Sequence, residues 1–106
     1  MTAYRLTRLA ATDLADILRD TARRFGPRQR DTYAALIETA ALRVAANPTH
    51  PAARARADLA PGVRAYHLET AAGRLGASAH ILYFIPAPHG VTILRILHER
   101  MDPRRA

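Results

Sequence analysis

The amino-acid sequence predicts an α+β domain with the element order β-α-α-β-β-β, in which a helical hairpin packs on a mainly antiparallel sheet. Two observations predict this class. The first half of the chain carries two apolar stripes at helical spacing, and the second half carries three runs of β-forming residues separated by turns rich in Gly and Pro. A helix pair that covers one face of a sheet is a stable two-layer arrangement.

The first strand and the first helix are predicted from the N-terminal 26 residues. A short alternating run from Tyr4 to Leu9 is typical of a strand. The helix that follows is indicated by one apolar stripe, made of Leu14, Ile17, Leu18, Thr21 and Phe25. Thr7 or Thr12 is placed to cap the start of this helix. Gly26 can adopt the left-handed conformation that ends a helix.

The second helix is predicted to begin at Pro27, a residue that suits the first position of a helix. Its apolar stripe consists of Tyr33, Leu36, Ile37, Ala40 and Val44, and the pair Asn47-Pro48 ends it. Because the link at Gly26-Pro27 is so short, the two helices are expected to turn back on each other as an antiparallel hairpin.

The second half of the chain is predicted to supply the sheet. Its segments are, in order, a polar loop (His50 to Pro61), a strand (Val63 to Thr70), a hairpin loop (Ala71 to Leu75), a strand (His80 to Pro86), a turn (Pro88 to Gly90) and a strand (Val91 to His98). The last strand is apolar on both faces, as expected of a central strand.

Composition and length exclude several classes of protein. The 106 residues suit one domain spanning 1–106, and the absence of cysteine excludes a disulfide framework and a thiolate nucleophile. The sequence shows no leader segment and no apolar run near the roughly 20 residues that span a bilayer. A cytoplasmic protein without a membrane partner is therefore expected.

The net charge of +7 comes from 16 basic residues, every one of them arginine. The excess of arginine has two possible explanations. Arginine binds phosphate and carboxylate bidentately, so the excess suits an anion-binding surface. A GC-rich genome would also enrich Arg and Ala, for no functional reason. The arginines are spread over a helical turn, a loop, two strands and the C-terminus, with no continuous stripe. This distribution favours an acidic protein partner over direct, sequence-specific binding of nucleic acid.

The other polar residues give few signs of a reactive centre. No histidines or carboxylates lie at metal-ligand spacing, so neither a metal nor a cofactor is predicted. Asp13, Asp16 and Asp20 are expected to form a solvated face of the first helix. A strand arginine is costly to bury unpaired, so Arg95 is expected either to contact a partner or to pair with Glu99 or Asp102.

Several segments, taken together in this order, resemble the ParE group of the RelE/ParE toxin superfamily. They are YRLTRLAATDLADIL, RRFGPRQRDTYAALI, LRVAANP, LAPGVR and ILRILHERMD, and they extend from about Tyr4 to Arg105. The resemblance implies the toxin of a type II toxin–antitoxin pair, neutralised by a ParD-like antitoxin in a hetero-oligomeric complex. In the ParE branch the implied target is DNA gyrase, which the toxin poisons so that replication stalls.

The sister RelE branch leaves an alternative open, because its members are ribosome-dependent mRNA endonucleases on the same fold. The residues that would serve such a nuclease here are Arg64, His98 and Arg100. No lysine is present and no tyrosine follows Met101, although the resemblance leads one to expect both in a RelE-like nuclease. The sequence therefore favours a non-enzymatic protein poison with no catalytic residues. A degenerate, non-toxic partner-binding domain is the third possibility.

Two sets of binding residues are predicted. The resemblance places contact with the target at the C-terminal end of the chain, at Arg95, His98, Arg100, Met101, Arg104 and Arg105. The antitoxin is expected at a neighbouring sheet edge and on alanine-rich helix stripes, whose shallow grooves accept apolar side chains of a partner. The residues predicted for this contact are Leu14, Leu18, Phe25, Tyr33, Ile37 and Arg64.

Overall fold

Two long helices and a five-stranded sheet make up the fold in the computed structural model, which describes residues 3–106. The elements are β1 (Ala3–Leu6), α1 (Arg8–Phe25), α2 (Pro27–Ala46), β2 (Arg54–Ala55), β3 (Arg64–His67), α3 (Leu68–Ala72), β4 (His80–Ala87) and β5 (Gly90–His98). The predicted α+β class and the helical hairpin are confirmed. Within residues 3–106, no helix combines the length and the apolar character needed to cross a membrane.

The sheet has the strand order β1-β5-β4-β3-β2. β1 lies parallel to β5, and the other three pairs are antiparallel. β5 lies between β1 and β4, so the prediction that the last strand is central is confirmed. β1 and β2 form the two edges of the sheet.

The helical hairpin begins at Thr7, whose hydroxyl accepts the backbone N–H of Ala10 at 3.1 Å. Thr7 is therefore the cap of α1, and the alternative at Thr12 is wrong, because Thr12 lies inside the helix. Gly26 joins the two helices with a φ of 90°, a conformation that favours glycine. Pro27 opens α2 as predicted, and Asn47 caps its end.

The two faces of the sheet differ in what covers them. The main core lies between the hairpin and one face, where Tyr66, Leu82, Phe84 and Ile93 are fully buried. Neighbouring strand residues point to the opposite face. There, Tyr83 and Leu97 belong to a smaller apolar cluster that no long helix covers.

Four predicted segments differ from the structure. The strand predicted from Val63 to Thr70 ends at His67, and α3 occupies part of the predicted hairpin loop. The His67 ring accepts the backbone N–H of Glu69 at 3.1 Å, which caps α3. The strand predicted from Tyr4 to Leu9 ends at Leu6, and the predicted polar loop contains the two-residue strand β2.

α1 completes the edge of β5 beyond the point where β1 ends. The Thr7 hydroxyl donates to the Leu94 carbonyl at 2.8 Å, and an Asp13 carboxylate oxygen accepts the Ile96 N–H at 3.0 Å. The same carboxylate binds the Arg95 guanidinium at 2.8 and 3.0 Å.

The expected solvated position of Asp13 is therefore wrong, as is the expected pairing of Arg95 with Glu99 or Asp102. The Asp13 side chain is only 14% exposed, because it lies against the strand that it stabilises.

Candidate functional site

An apolar cavity of about 210 Å³ lies between the helical hairpin and the sheet beside β1, and we call it the apolar slot. Its lining residues are Tyr4, Leu6, Leu14, Leu18, Ala34, Ile37, Glu38, Ala41, Leu82, Ile93 and Ile96. Two of them are alanines, whose small side chains leave the space unfilled. The slot is large enough for one bulky apolar side chain, whose burial contributes about 1.5–3 kcal/mol.

The slot adjoins the free edge of the sheet. β1 pairs with β5 on one side, and its other side pairs with no strand among residues 3–106. Tyr4 lies on this strand, and burial together with the charge of Glu38 raises the pKa of its hydroxyl. The tyrosine is therefore neutral near pH 7. A carboxylate, a phenol and unpaired backbone groups thus lie beside an apolar cavity.

The uncovered face of the sheet, which we call the basic sheet face, carries two hollows of about 400 and 360 Å³ that share Tyr83 as a lining residue. Arg95 and Arg104 line the first hollow, and Arg54 and Arg56 line the second. The Arg56 guanidinium lies 6.0 Å from the centre of the Tyr83 ring and binds the Asp58 carboxylate at 3.0 Å.

The residues predicted to contact the target are divided between surfaces. Arg95 and Arg104 lie on the basic sheet face, whereas His98 lines a different cleft. Arg100, Met101 and Arg105 are exposed in the turns that follow β5. Arg95 is bound to Asp13 in a pair that is largely screened from solvent, whereas the pair of Arg104 with Asp102 is exposed.

A polar cleft of about 720 Å³ lies at the other end of the hairpin, and we call it the histidine cleft. The Tyr33 hydroxyl lies 2.6 Å from His80 Nδ1 and 2.5 Å from the Ser78 hydroxyl. The His80 and His98 rings contact each other edge to face, with 5.6 Å between their centres. Burial is the main reason that the pKa of His80 is lowered and the pKa of Tyr33 is raised.

The residues predicted for a nuclease do not converge. Arg64 pairs with Phe84 on β4, whereas His98 pairs with His80 at the start of the same strand. The two pairs are four positions apart along β4, or about 13 Å. The Arg64 guanidinium donates to the Ala53 carbonyl, and the Arg100 backbone donates to His98 Nδ1 at 3.1 Å. The three side chains therefore do not surround one position where a substrate could react.

The residues predicted to bind the antitoxin fall into three places. Leu14, Leu18 and Ile37 line the apolar slot. Phe25, which is 70% exposed, and Tyr33 line the histidine cleft. Arg64 lies apart, next to Ala53. Tyr4 and Glu38 also line the slot but are not among the predicted residues, although a strand predicted next to a helical stripe is a signal that could have indicated them.

Among residues 3–106, no three histidine, aspartate or glutamate side chains lie close enough together to hold a metal ion. The histidines instead bind protein groups. His67 Nε2 lies 2.8 Å from a Glu99 oxygen, and His89 Nε2 lies 2.9 Å from the Val91 carbonyl.

A helical hairpin on a five-stranded mixed sheet, with an apolar slot on one side and a basic face on the other, defines a small two-layer α+β domain. Residues 4–103 match the family described as the ParE toxin of the type II toxin–antitoxin system parDE. This match covers nearly the whole chain, and the chain therefore belongs to the ParE toxin family. A search of curated protein sequences gives no match.

Among solved structures, the chain is similar to one described as the chromosomal ParDE TA system from P. aeruginosa. The TM-score is 0.66 and the sequences are 24% identical, with 92% of this chain and 96% of that chain covered. This similarity supports the fold, and the predicted family resemblance is confirmed by the family match.

Proposed function

We propose that this ParE-family toxin acts in the cytoplasm by poisoning DNA gyrase, and that a ParD-like antitoxin neutralises it by docking at the apolar slot. The observation that carries the antitoxin part of the proposal is the slot itself, an open apolar cavity beside a strand edge that pairs with no other strand among residues 3–106. Such an edge accepts an added strand, and the adjacent cavity accepts an apolar side chain from the same segment.

The charge of the chain supports an acidic antitoxin. A net charge of +7 attracts a negatively charged segment and accelerates its association. The slot provides specificity for an apolar anchor, while the net positive charge of the chain favours carboxylates elsewhere in the same partner segment. The similar P. aeruginosa structure is a ParDE system, which agrees with an antitoxin partner for this chain.

The basic sheet face and the C-terminal segment support a protein target. Arginine and tyrosine are enriched among the residues that contribute most to protein interfaces. The hollows on both sides of Tyr83 offer places for side chains of a partner. Because Arg64, His98 and Arg100 do not converge, the geometry favours the binding of a protein target over RNA cleavage.

The function is tested by inducing the toxin without antitoxin and by adding the purified toxin to purified gyrase. We expect loss of supercoiling, accumulation of DNA breaks and intact mRNA. Replacing both Arg104 and Arg105 with alanine is expected to weaken gyrase inhibition by at least about tenfold, since each lost interface arginine removes about 1 kcal/mol or more.

The matched control replaces Arg23 and Arg28, two arginines of the hairpin, and changes the net charge equally. This control is expected to inhibit gyrase within about twofold of the parent toxin. Rapid mRNA loss with normal supercoiling would instead identify a RelE-like nuclease, and an absence of toxicity would identify a degenerate partner-binding domain.

Antitoxin docking is tested by filling the slot. Ala34 lines the slot, so Ala34→Trp is expected to occupy the cavity and weaken antitoxin binding by at least about 100-fold, the equivalent of about 2.7 kcal/mol. The neighbouring Ala35 is exposed outside the slot, so Ala35→Trp is the control and should bind within about threefold of the parent.

Calorimetry with the purified antitoxin measures both variants, and circular dichroism confirms that each is folded. Equal affinities for Ala34→Trp and Ala35→Trp would show that the antitoxin docks elsewhere. The gyrase assay is independent of that outcome.

A further inference from the structure

Three histidines of this chain hold turns in the same way. His98 Nδ1 accepts the backbone N–H of Arg100 at 3.1 Å. His67 accepts the N–H of Glu69 at 3.1 Å, and His50 accepts that of Ala52 at 3.0 Å. In each case the acceptor is a ring nitrogen without a proton. A neutral imidazole has one such nitrogen and a protonated imidazole has none, so protonation removes the hydrogen bond.

His80 depends on its neutral form through a chain of hydroxyl groups. Ser78 Oγ accepts the His80 backbone N–H at 3.1 Å, and the Tyr33 hydroxyl lies between Ser78 and His80 Nδ1. The orientation that gives every hydroxyl proton an acceptor has Ser78 donating to Tyr33 and Tyr33 donating to His80. A proton on His80 Nδ1 would reverse this chain and leave the buried Ser78 proton without its acceptor.

Protonation is also opposed by the surroundings of His80. Burial lowers its pKa, and the neighbouring His98 and His67 lower it further, while Asp20 and Glu99 act in the opposite direction. A lowered pKa in the folded state means that the fold is stabilised above the ordinary value of 6.5 and loses this contribution as the pH falls. The charged or titratable groups around the cleft are Asp20, Arg24, Tyr33, His67, Glu69, His80, His98, Glu99 and Arg100.

We propose that His98 is a proton-sensitive latch, which holds the C-terminal segment from Arg100 onward in its folded position and releases it when the His98 ring is protonated. His98 begins the turn, and its ring contacts His80, so protons on both rings repel each other across 5.6 Å. The Arg100 N–H loses its acceptor at the same moment. The segment that is freed carries three arginines, at positions 100, 104 and 105.

The latch has a defined boundary at Glu99. Its backbone N–H donates to the Ala79 carbonyl at 2.7 Å, and its carboxylate binds His67 Nε2. The hydrogen bond from His67 lowers the pKa of Glu99, so the carboxylate stays ionised and a proton on His67 strengthens this pair. The chain up to Glu99 therefore stays attached to the sheet in acid. The segment after it is attached to the rest of residues 3–106 only by the hydrogen bond from the Met101 N–H to the His98 carbonyl and by the contacts of Pro103 and Arg104 with the basic sheet face, so it is the part that loses order. The inference concerns this chain alone and does not depend on the identity of the target.

The test measures NMR order parameters of the backbone amides from Arg100 to Arg105, except Pro103, which has no N–H, in the full chain at pH 7.5 and pH 5.0. For the parent protein we expect a fall from about 0.8 to below about 0.6, the change from a rigid to a flexible backbone. In His98→Asn the side-chain oxygen accepts the same N–H but does not titrate, so the order parameters should stay near 0.8 at both pH values.

His89→Asn is the matched control. His89 Nε2 faces the Val91 carbonyl and donates to it, an interaction that protonation preserves, so this variant should respond to pH as the parent does. Order parameters that stay constant in the parent, or that fall equally in His98→Asn, would overturn the latch. A response lost in both variants would also overturn it, because it would show that the effect is not specific to His98.

Discussion

Replacing Asp13 with alanine is expected to lower the free energy of unfolding by about 2–4 kcal/mol, a large part of the 5–15 kcal/mol typical of a small protein. Two losses combine. The Arg95 guanidinium, whose side chain is 21% exposed, is left without its carboxylate, and the Ile96 N–H is left without an acceptor. The effect lies below that of a fully buried pair because water reaches both side chains in part.

Urea denaturation measures the change, and Asp16→Ala is the matched control. Asp16 pairs with Arg19 on the same helix, but its side chain is 63% exposed, so its loss should cost no more than about 0.5 kcal/mol. Asp13→Asn keeps an oxygen for the Ile96 N–H and should fall between the two variants. If Asp13→Ala and Asp16→Ala are equally stable, the pairing with Arg95 contributes nothing to the fold.

The role of Asp13 shows why the sequence predicts elements better than it predicts their contacts. The spacing of Leu14, Ile17 and Leu18 is local and specifies α1 directly. Arg95 lies 82 residues away from Asp13 in the sequence. The two residues meet only because β1 pairs in parallel with β5, which places α1 beside β5. Because helix periodicity carries no information about this distant partner, it predicts a solvated position for Asp13, as it does for Asp16.

The boundary between β3 and α3 is predicted wrongly for a different reason. The residues from Val63 to Thr70 contain β-forming side chains, so strand propensity favours one continuous strand. The helix is capped by His67, which is not among the residues that normally mark a helix start. Gly73 then ends α3 in the left-handed conformation that favours glycine. Tertiary context thus outweighs local propensity.

The candidate site can be predicted in part. The helical stripes contain Leu14, Leu18 and Ile37, and the structure places all three in one slot. Phe25 and Tyr33 lie on the same stripes but belong to the histidine cleft, because each stripe runs the length of its helix and reaches both ends of the hairpin. The basic sheet face could not be located, since it combines strand residues such as Tyr83 and Arg95 with loop and tail residues that only the folded sheet brings together.

Replacing Gly90 with alanine is expected to displace β1, with a loss of about 3 kcal/mol or more and a decrease in Tm of about 10 °C or more. Gly90 pairs with Ala3 at the start of the parallel β1–β5 ladder, and its φ is 137°, which side chains rarely adopt. An added Cβ would lie 2.0 Å from the Ala3 carbonyl oxygen. Backbone atoms cannot yield as a flexible side chain does, so the strand itself must move.

The displacement also reaches the proposed antitoxin site, because Tyr4 and Leu6 of β1 line the apolar slot. We therefore expect Gly90→Ala to weaken antitoxin binding even at temperatures where the protein remains folded. Gly73→Ala is the control, since Gly73 has a φ of 70° but no atom within 4 Å of an added Cβ, and its cost should be limited to about 1–2 kcal/mol of backbone strain. Thermal unfolding and calorimetry with the antitoxin compare the two variants. Equal losses of stability in Gly90→Ala and Gly73→Ala would show that β1 does not approach β5 as closely as the ladder requires. Equal antitoxin affinities would show that the slot does not depend on the position of β1.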